Sequence, residues 1–561
     1  MDGNRRTLLF VLALCVGILL VYPRQDSEAW FDPGDRGRDV YAFERTLHGE
    51  LPYTDYFWVY GPLMPFVYAG FVGVFGCQIS SVIVCKLFLT VLAAAFLYLA
   101  VSELCVPLTA FVACAWFLVF YPDFFFTYNH IGAIAMILAV LWTMFAYLRT
   151  SQLGYAFLGL AWCFVLALIK VNFGVVATGM CVLGVFLTDR LKKIPQQRKR
   201  VLFYVTALGI IPVLTIAVYG WFLKGLAPME IRECLPYWSN DEPHVVNPCV
   251  ALKILGRYFL SKTCADETNL CVTVIILFSA VRTVWLIAAR KLEPDRRTVL
   301  LVAVLLLGIF YVGNLHEYLR SGVGYRRFWS LPLGMVLGFV LVDTAFSNVG
   351  KAARLLVGGG AVLIMGLAFG NELQYINARN TPDHFLSCRR ARIHVGNSPE
   401  WIQTVEAVSA HLQKVLKPDE MFFALPYDPL YYYLTERKSP TRQLIFFEHI
   451  KIPPEQERSI LKEIERNHVN YILLANIYKS QEAQFGILGQ TYCPVISRYI
   501  EANFTPVAKY GDWTNEPMSF VNHGVMILRR KQPMTKEDVS RIEAAASVPA
   551  TPLSLPPLGG Q

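Results

Sequence analysis

Eleven apolar runs follow one another through the first 370 residues, at about 7–22, 79–101, 108–121, 130–148, 153–169, 171–188, 201–223, 271–289, 298–313, 328–346 and 353–369. In hydrocarbon no water is available to satisfy backbone N–H and C=O groups, so runs of this length fold as helices that close their own hydrogen bonds. Composition agrees. The chain is 55% hydrophobic and only 17% charged, where soluble globular chains carry about 25% charged residues. These runs predict an α-helical polytopic membrane protein of about eleven transmembrane helices. The net charge of +9 then reads as basic loops beside anionic lipid. No basic face interleaved with aromatics points to nucleic acid.

The distribution of Lys and Arg orients the spans. Arg5 and Arg6 precede the first run, and no small-x-small cleavage site comes before Tyr22-Pro23-Arg24. This predicts an uncleaved first span with its N-terminus in the cytoplasm. Arg190, Lys192, Lys193, Arg198, Lys199 and Arg200 form one basic cluster, and Arg290, Lys291, Arg296, Arg297, Lys351 and Arg354 fall on the same side. By the positive-inside rule that side is cytoplasmic. The long hydrophilic pieces 23–61, 224–270 and everything after 370 are then external, on a multi-pass protein of the plasma (inner) membrane. Pro62 to Gly76 is apolar but short, which suits an interfacial or re-entrant helix. The short cytoplasmic loops carry no P-loop or G-x-G-x-x-G to hold a soluble nucleotide. An activated donor used outside has to arrive attached to lipid.

After residue 370 the composition turns ordinary. Thr404 to Val415 and Gln456 to Arg466 read as amphipathic helices, and Met421 to Leu425, Val469 to Ala475 and Gly524 to Leu528 as strands. The predicted organisation is a transmembrane domain over 1–369 with an external loop at 23–65, an extracytoplasmic α/β domain over 370–531, and a disordered tail over 532–561. Of thirteen cysteines, Cys234, Cys249, Cys264 and Cys271 cluster around one polar loop, where disulfides are an option in an oxidising space. Their spacing is too wide and irregular to suggest a metal site.

Chemistry concentrates in residues 32–65, DPGDRGRDVYAFERTLHGELPYTDYFWVYGPLMP. Asp35 and Asp39 are four apart, so a helix over 35–48 puts both on one face, with Ala42, Phe43 and Leu47 at helical spacing behind them. This describes a short helix lying on the membrane with acids at its N-terminal end, where the helix dipole favours ionised carboxylates. The plainer alternative is a solvated loop with a capping Asp.

The acid-rich start, the segment Gly49-Glu-Leu-Pro-Tyr-Thr-Asp55 and the segment Tyr60-Gly-Pro-Leu63 resemble the first external loop of GT-C-type glycosyltransferases. That family uses polyprenyl-phosphate sugars. It includes protein mannosyltransferases, aminoarabinose-to-lipid-A transferases and bacterial core-sugar transferases. The resemblance implies a catalytic base at the start of this loop, and Asp35 is the position that matches by count. The family's usual Asp-Glu pair is Asp35-Arg36 here, with further acids at Asp32 and Asp39, so the choice among the three acids stays open.

The resemblance also assigns Asp123, in the aromatic loop 121–130, as a second acid supporting the base or contacting the acceptor. The alternative there is an interfacial aromatic belt with a solvated Asp. Lys170, at the junction of two spans, and Arg320, Arg326 and Arg327, in the loop that also holds His316 and Glu317, are external cations that call for an anion. A lipid phosphate fits them, and a salt-bridged loop is the alternative for the arginines. Trp238, Asp241 and His244 in loop 224–270 are candidates for a lid or acceptor platform.

Together these residues imply an inverting transfer from a polyprenyl-phosphate sugar to an acceptor hydroxyl on a glycan, lipid or protein. The scheme requires no cofactor, although some relatives use a divalent cation. Two rivals are an O-antigen-type ligase or polymerase, which leans on an external Arg and His, and a transporter of lipid-linked saccharide, which usually shows internal repeats and broken helices.

Overall fold

The computed structural model describes residues 2–120, 128–194, 198–234, 267–316, 329–347, 351–480, 485–517 and 522–532. It divides into two compact units. One comprises Met1–Pro23, Lys86–Gly220 and Glu242–Tyr375, and the other Arg24–Cys85, Trp221–Asp241 and Ile376–Gln561.

Each of the eleven apolar runs falls on a helix: Asp2–Val21, Ile79–Leu104, Pro107–Phe120, Tyr128–Thr150, Leu153–Ile169, Val171–Leu191, Arg198–Val205 continued through a π turn into Ile211–Phe222, Glu267–Ala288, Pro294–Asn314, Leu331–Phe346 and Lys351–Arg379. Among the described residues, six segments are long and apolar enough to cross a membrane: Thr7–Arg24, Ile79–Leu104, Tyr128–Thr150, Val171–Leu191, Arg198–Phe222 and Pro294–Asn314. Within the first unit, Tyr128–Thr150 is the central helix, buried along almost its whole length. Its buried Thr143 hydroxyl bonds back to the carbonyls of Ala139 and Val140 at 3.1 and 2.9 Å, which satisfies that hydroxyl within the helix. Outer helices leave Leu8, Val11, Leu208, Val213, Ile216, Val281 and Val284 exposed. That is the surface of a protein solvated by lipid.

Among the described residues, the second unit holds two sheets. Strand β1 (Ser27–Glu28) pairs in parallel with β3 (Ile393–Val395), placing Ser27 opposite His394, and β3 pairs antiparallel with β2 (Phe385–Leu386). The larger sheet has the order β4-β5-β7-β6, from Phe422–Leu425, Tyr471–Ala475, Gly524–Arg530 and Phe504–Gly511. β4 and β5 are parallel and the other pairs antiparallel. The helix Pro454–Arg466 lies in the crossover between β4 and β5. Its Ile460, Leu461 and Ile464 pack with Phe423, Leu425, Ile472, Leu474, Ile496 and Leu528 in one core. The helix Pro399–Val415 starts on Ser398, whose hydroxyl accepts from the N–H of Trp401 at 3.3 Å. All five predicted elements of this region are present. Strand β6 and the helix Pro494–Asn503 were not predicted. β6 is an edge strand interrupted at Pro506/Ala508, and a proline breaks the signature of a strand while remaining tolerable at an edge.

The helix predicted over 35–48 spans Asp35–Leu47, and the short apolar stretch forms the helix Leu63–Phe75. The Asp35–Leu47 helix is not a surface helix. Arg36 to Glu44 are all buried. The Phe43 ring stacks on Tyr68 at 4.3 Å and meets Trp58 edge-on at 6.4 Å. Its polar residues are accommodated because they pair. Arg36 donates to Glu28 at 2.5 Å, and Arg390 donates to Glu44. Burying charge is tolerable only with such partners. Cys234 is buried, and its Sγ lies 3.9 Å from Arg442 Nη1; Cys249 and Cys264 lie outside the described residues.

Candidate active site

Asp32 starts the site. Its Oδ2 accepts the backbone N–H of Asp35 at 2.5 Å, and its carbonyl accepts from Gly37 N–H at 3.1 Å. A carboxylate on the free N–H groups of a helix start satisfies donors that the helix leaves unpaired. One turn further on, the Arg38 guanidinium donates from Nη1 to Asp35 Oδ1 at 3.1 Å. It also donates from Nη2 and Nε to Asp39 Oδ1 at 2.7 and 3.1 Å. Its planar group lies over Trp58 and Tyr60, 5.4 and 5.2 Å from the ring centroids. Both rings come from the segment leading into Tyr60-Gly-Pro-Leu63, and Trp58 is fixed by its Nε1–H to Gly61 O at 3.0 Å. The motif residues thus clamp the arginine that joins the two acids.

The acids differ in access. The Asp39 side chain is fully buried, whereas the Asp35 side chain keeps 26% of its surface exposed. Asp32 is buried, and burial, with the charge of Asp35 adding to it, pushes its carboxyl up to about 6. Of the three acids left open by sequence, Asp35 is the one that combines an open side chain with a fixed position.

The far end of the chain completes this corner. The turn after β4 brings Tyr427 onto Asp35, its hydroxyl donating to Oδ1 at 2.7 Å. Leu430 N–H donates to Pro33 O at 3.2 Å. Two glycines make the approach feasible. A Cβ on Gly34 would lie 2.7 Å from the Tyr427 ring, and one on Gly37 would lie 2.6 Å from Leu430 N. Behind Tyr427, Asp428 is buried with Tyr431 and His523. Tyr431 Oη is 2.9 Å from His523 Nε2. Sequence reading missed Tyr427. The Gly34/Gly37 spacing is the only local signal, and it announces a close neighbour without saying which.

Lys170 lies in the other unit, buried at the break between the helices Leu153–Ile169 and Val171–Leu191. Its Nζ is 3.2 Å from His130 Nε2 and lies over the rings of Phe173 and Trp329, 4.5 and 5.5 Å from their centroids. The His130 ring stacks on Trp329 at 3.7 Å. Close by in sequence, Asn172 Nδ2 donates to His316 Nε2 at 2.7 Å, while His316 Nδ1 donates to Gly313 O at 2.6 Å. Asp123, Arg320, Arg326, Arg327, Glu317, Trp238, Asp241 and His244 lie outside the described residues. Among the described residues, no three His, Cys, Asp or Glu side chains are grouped to hold a metal ion.

No protein-family model matches this chain, and no curated protein matches it by sequence. Solved structures do match its fold. ArnT from Cupriavidus metallidurans in the apo state superposes at a TM-score of 0.53 with 12% identity, over 94% of this chain and 98% of that one. The same protein bound to undecaprenyl phosphate gives 0.51 and 11% over the same shares. The apo oligosaccharyltransferase from Archaeoglobus fulgidus gives 0.50 and 13%, over 85% of this chain and 70% of that one. The class is therefore set by the fold: a polytopic helical membrane protein with a small C-terminal α/β region. Within that class the fold is the one that the ArnT structures share.

Proposed function

We propose that this chain is an inverting glycosyltransferase that moves a sugar from a polyprenyl-phosphate donor to an acceptor hydroxyl on the external face of the membrane. The observation that carries the reading is the Asp35 carboxylate. One of its oxygens is held by Arg38 and Tyr427, and the other has no hydrogen-bond partner among the described residues. In this scheme Asp35 Oδ2 takes the proton from the acceptor hydroxyl as that oxygen attacks the anomeric carbon. The bond from the anomeric carbon to the phosphate oxygen breaks on the opposite face, and the electron pair leaves with the lipid phosphate. Asp39 acts through Arg38, and Asp123 supports the base. Lys170, Arg320, Arg326 and Arg327 neutralise the phosphate as charge develops on it. Trp238, Asp241 and His244 cover the acceptor. The ArnT structure that holds undecaprenyl phosphate supports a lipid-linked donor.

The proposal includes the 1–369 and 370–531 division, with the N-terminus cytoplasmic and the second domain external. Transfer from a polyprenyl-phosphate sugar by the purified protein in nanodiscs tests it. Asp35→Asn keeps the shape and removes the basic oxygen, so the rate should fall by about 10²–10⁴. An Asp35→Asn variant that retains most of the activity would remove the basis of the reading. The same assay with and without a chelator reads whether a divalent cation takes part.

A further inference from the structure

We infer that Tyr427 is the positioning residue for Asp35, holding one carboxylate oxygen so that the other faces the acceptor. The inference rests on the reading of Asp35 as the base. A carboxylate on its own rotates broadly about its last bond, and either oxygen can then take a partner. Here Oδ1 receives two donors, the Tyr427 hydroxyl at 2.7 Å and Arg38 Nη1 at 3.1 Å. Neither donor is free to wander. Arg38 is pinned by two bonds to Asp39 and by the Trp58 and Tyr60 rings. Tyr427 is held by its ring against Gly34, by the adjoining Leu430–Pro33 bond, and by an edge-on contact to Phe447 at 6.0 Å. With Oδ1 saturated, the plane of the carboxyl is set, and Oδ2 has no hydrogen-bond partner among the described residues on a side chain that keeps 26% of its surface exposed.

A phenylalanine would fill the same space, so packing alone does not call for the hydroxyl. The phenol is also a dependable donor. Burial pushes it well above its ordinary range, so it keeps its proton at any pH where the protein works. Fixing a reacting group within a fraction of an ångström is a recognised source of rate. Tyr427 supplies that fixing from the turn after β4, 392 positions further along the chain.

The experiment compares Tyr427→Phe and Asp35→Asn in the full-length protein, measuring kcat, KM for donor and acceptor, and the thermal midpoint. Tyr427→Phe is expected to lower kcat by about 10- to 100-fold, the range for a hydrogen bond to a charged group. Both KM values should stay within about twofold and the midpoint should be nearly unchanged. A Tyr427→Phe protein with wild-type kcat beside an inactive Asp35→Asn protein overturns the inference and leaves the base assignment standing. An active Asp35→Asn protein overturns both. A Tyr427→Phe protein whose kcat loss comes with a matching fall in midpoint and a rise in KM shows a structural prop, which also overturns the inference.

Discussion

Asp428 and His523 are buried side by side with Oδ1 and Nε2 4.0 Å apart, and burial drives the two groups in opposite directions. It pushes the Asp428 carboxyl well above its ordinary range, with the charge of Asp32 adding to it, and it lowers the His523 imidazole to about 4. Each group is thus held toward its neutral form, and the contact is a neutral pairing of buried side chains more than an ion pair.

That arrangement sets a pH dependence for His523. Its pKa is lowered from 6.5 to about 4, so between those values the unfolded chain binds the proton and the folded chain does not. The stability His523 contributes is therefore present above 6.5 and lost as pH falls toward 4. The full span corresponds to about 3 kcal/mol at ~1.4 kcal/mol per pH unit. In denaturant titrations at pH 7 and pH 4.5, the stability gap between wild type and His523→Asn should narrow at the lower pH. A gap that stays constant refutes the neutral assignment.

Asp32 runs the other way. Its carboxyl is raised from 3.8 to about 6, so its contribution is full below 3.8 and is lost as pH rises through 6. Asparagine keeps an oxygen for the Asp35 N–H and removes the buried charge. Asp32→Asn should therefore gain on wild type between pH 4.5 and 7.5. Asp32→Ala, which loses the cap, should cost about 1 kcal/mol. Circular dichroism melts at the two pH values separate the effects.

Arg38 carries the largest structural cost. Removing it takes two guanidinium bonds from the Asp39 carboxylate, which has no exposed surface, and breaking a buried ion pair from one side costs about 3–5 kcal/mol. Arg38→Gln should lower the unfolding free energy by about that much. Arg38→Lys should fail to restore it, because an ammonium can neither fork between two carboxylates nor stack on Trp58 and Tyr60 in the same way. A fully stable Arg38→Lys protein would contradict the account of the clamp.

Lys170 is the test of the phosphate site. If it meets the donor phosphate, Lys170→Gln should raise KM for the lipid-linked sugar several-fold or more while expression stays normal. Arg320, Arg326 and Arg327, taken one at a time, should behave alike. Normal turnover in all four variants would move the phosphate elsewhere.

The eleven helices were legible because their signal is local: an apolar run of sufficient length allows little else. The Asp35–Leu47 helix was legible for the same reason, through the spacing of Asp35, Asp39 and the apolar residues behind them. Its burial was not, because nothing near Arg36 or Glu44 announces Glu28 or Arg390 as partners. Tyr427 was the furthest from reach, being 392 positions from the carboxylate it touches. β6 escaped because Pro506 interrupts its alternation, and the lid, arginine-loop and Asp123 assignments fall outside the described residues.

The pairing of Ser27 with His394 has a consequence for how the protein is made. Residues 27–44 leave the ribosome early, yet the strand, the ion-pair partner and the tyrosine that cover them come from residues 390–430. At about 5–20 residues per second, the interval is roughly 20–80 s. For that time the segment lacks the strand, the arginine and the tyrosine that cover it in the folded chain. A message cut short before residue 430 yields every upstream acid and no assembled corner, so the site comes into being only near the end of synthesis.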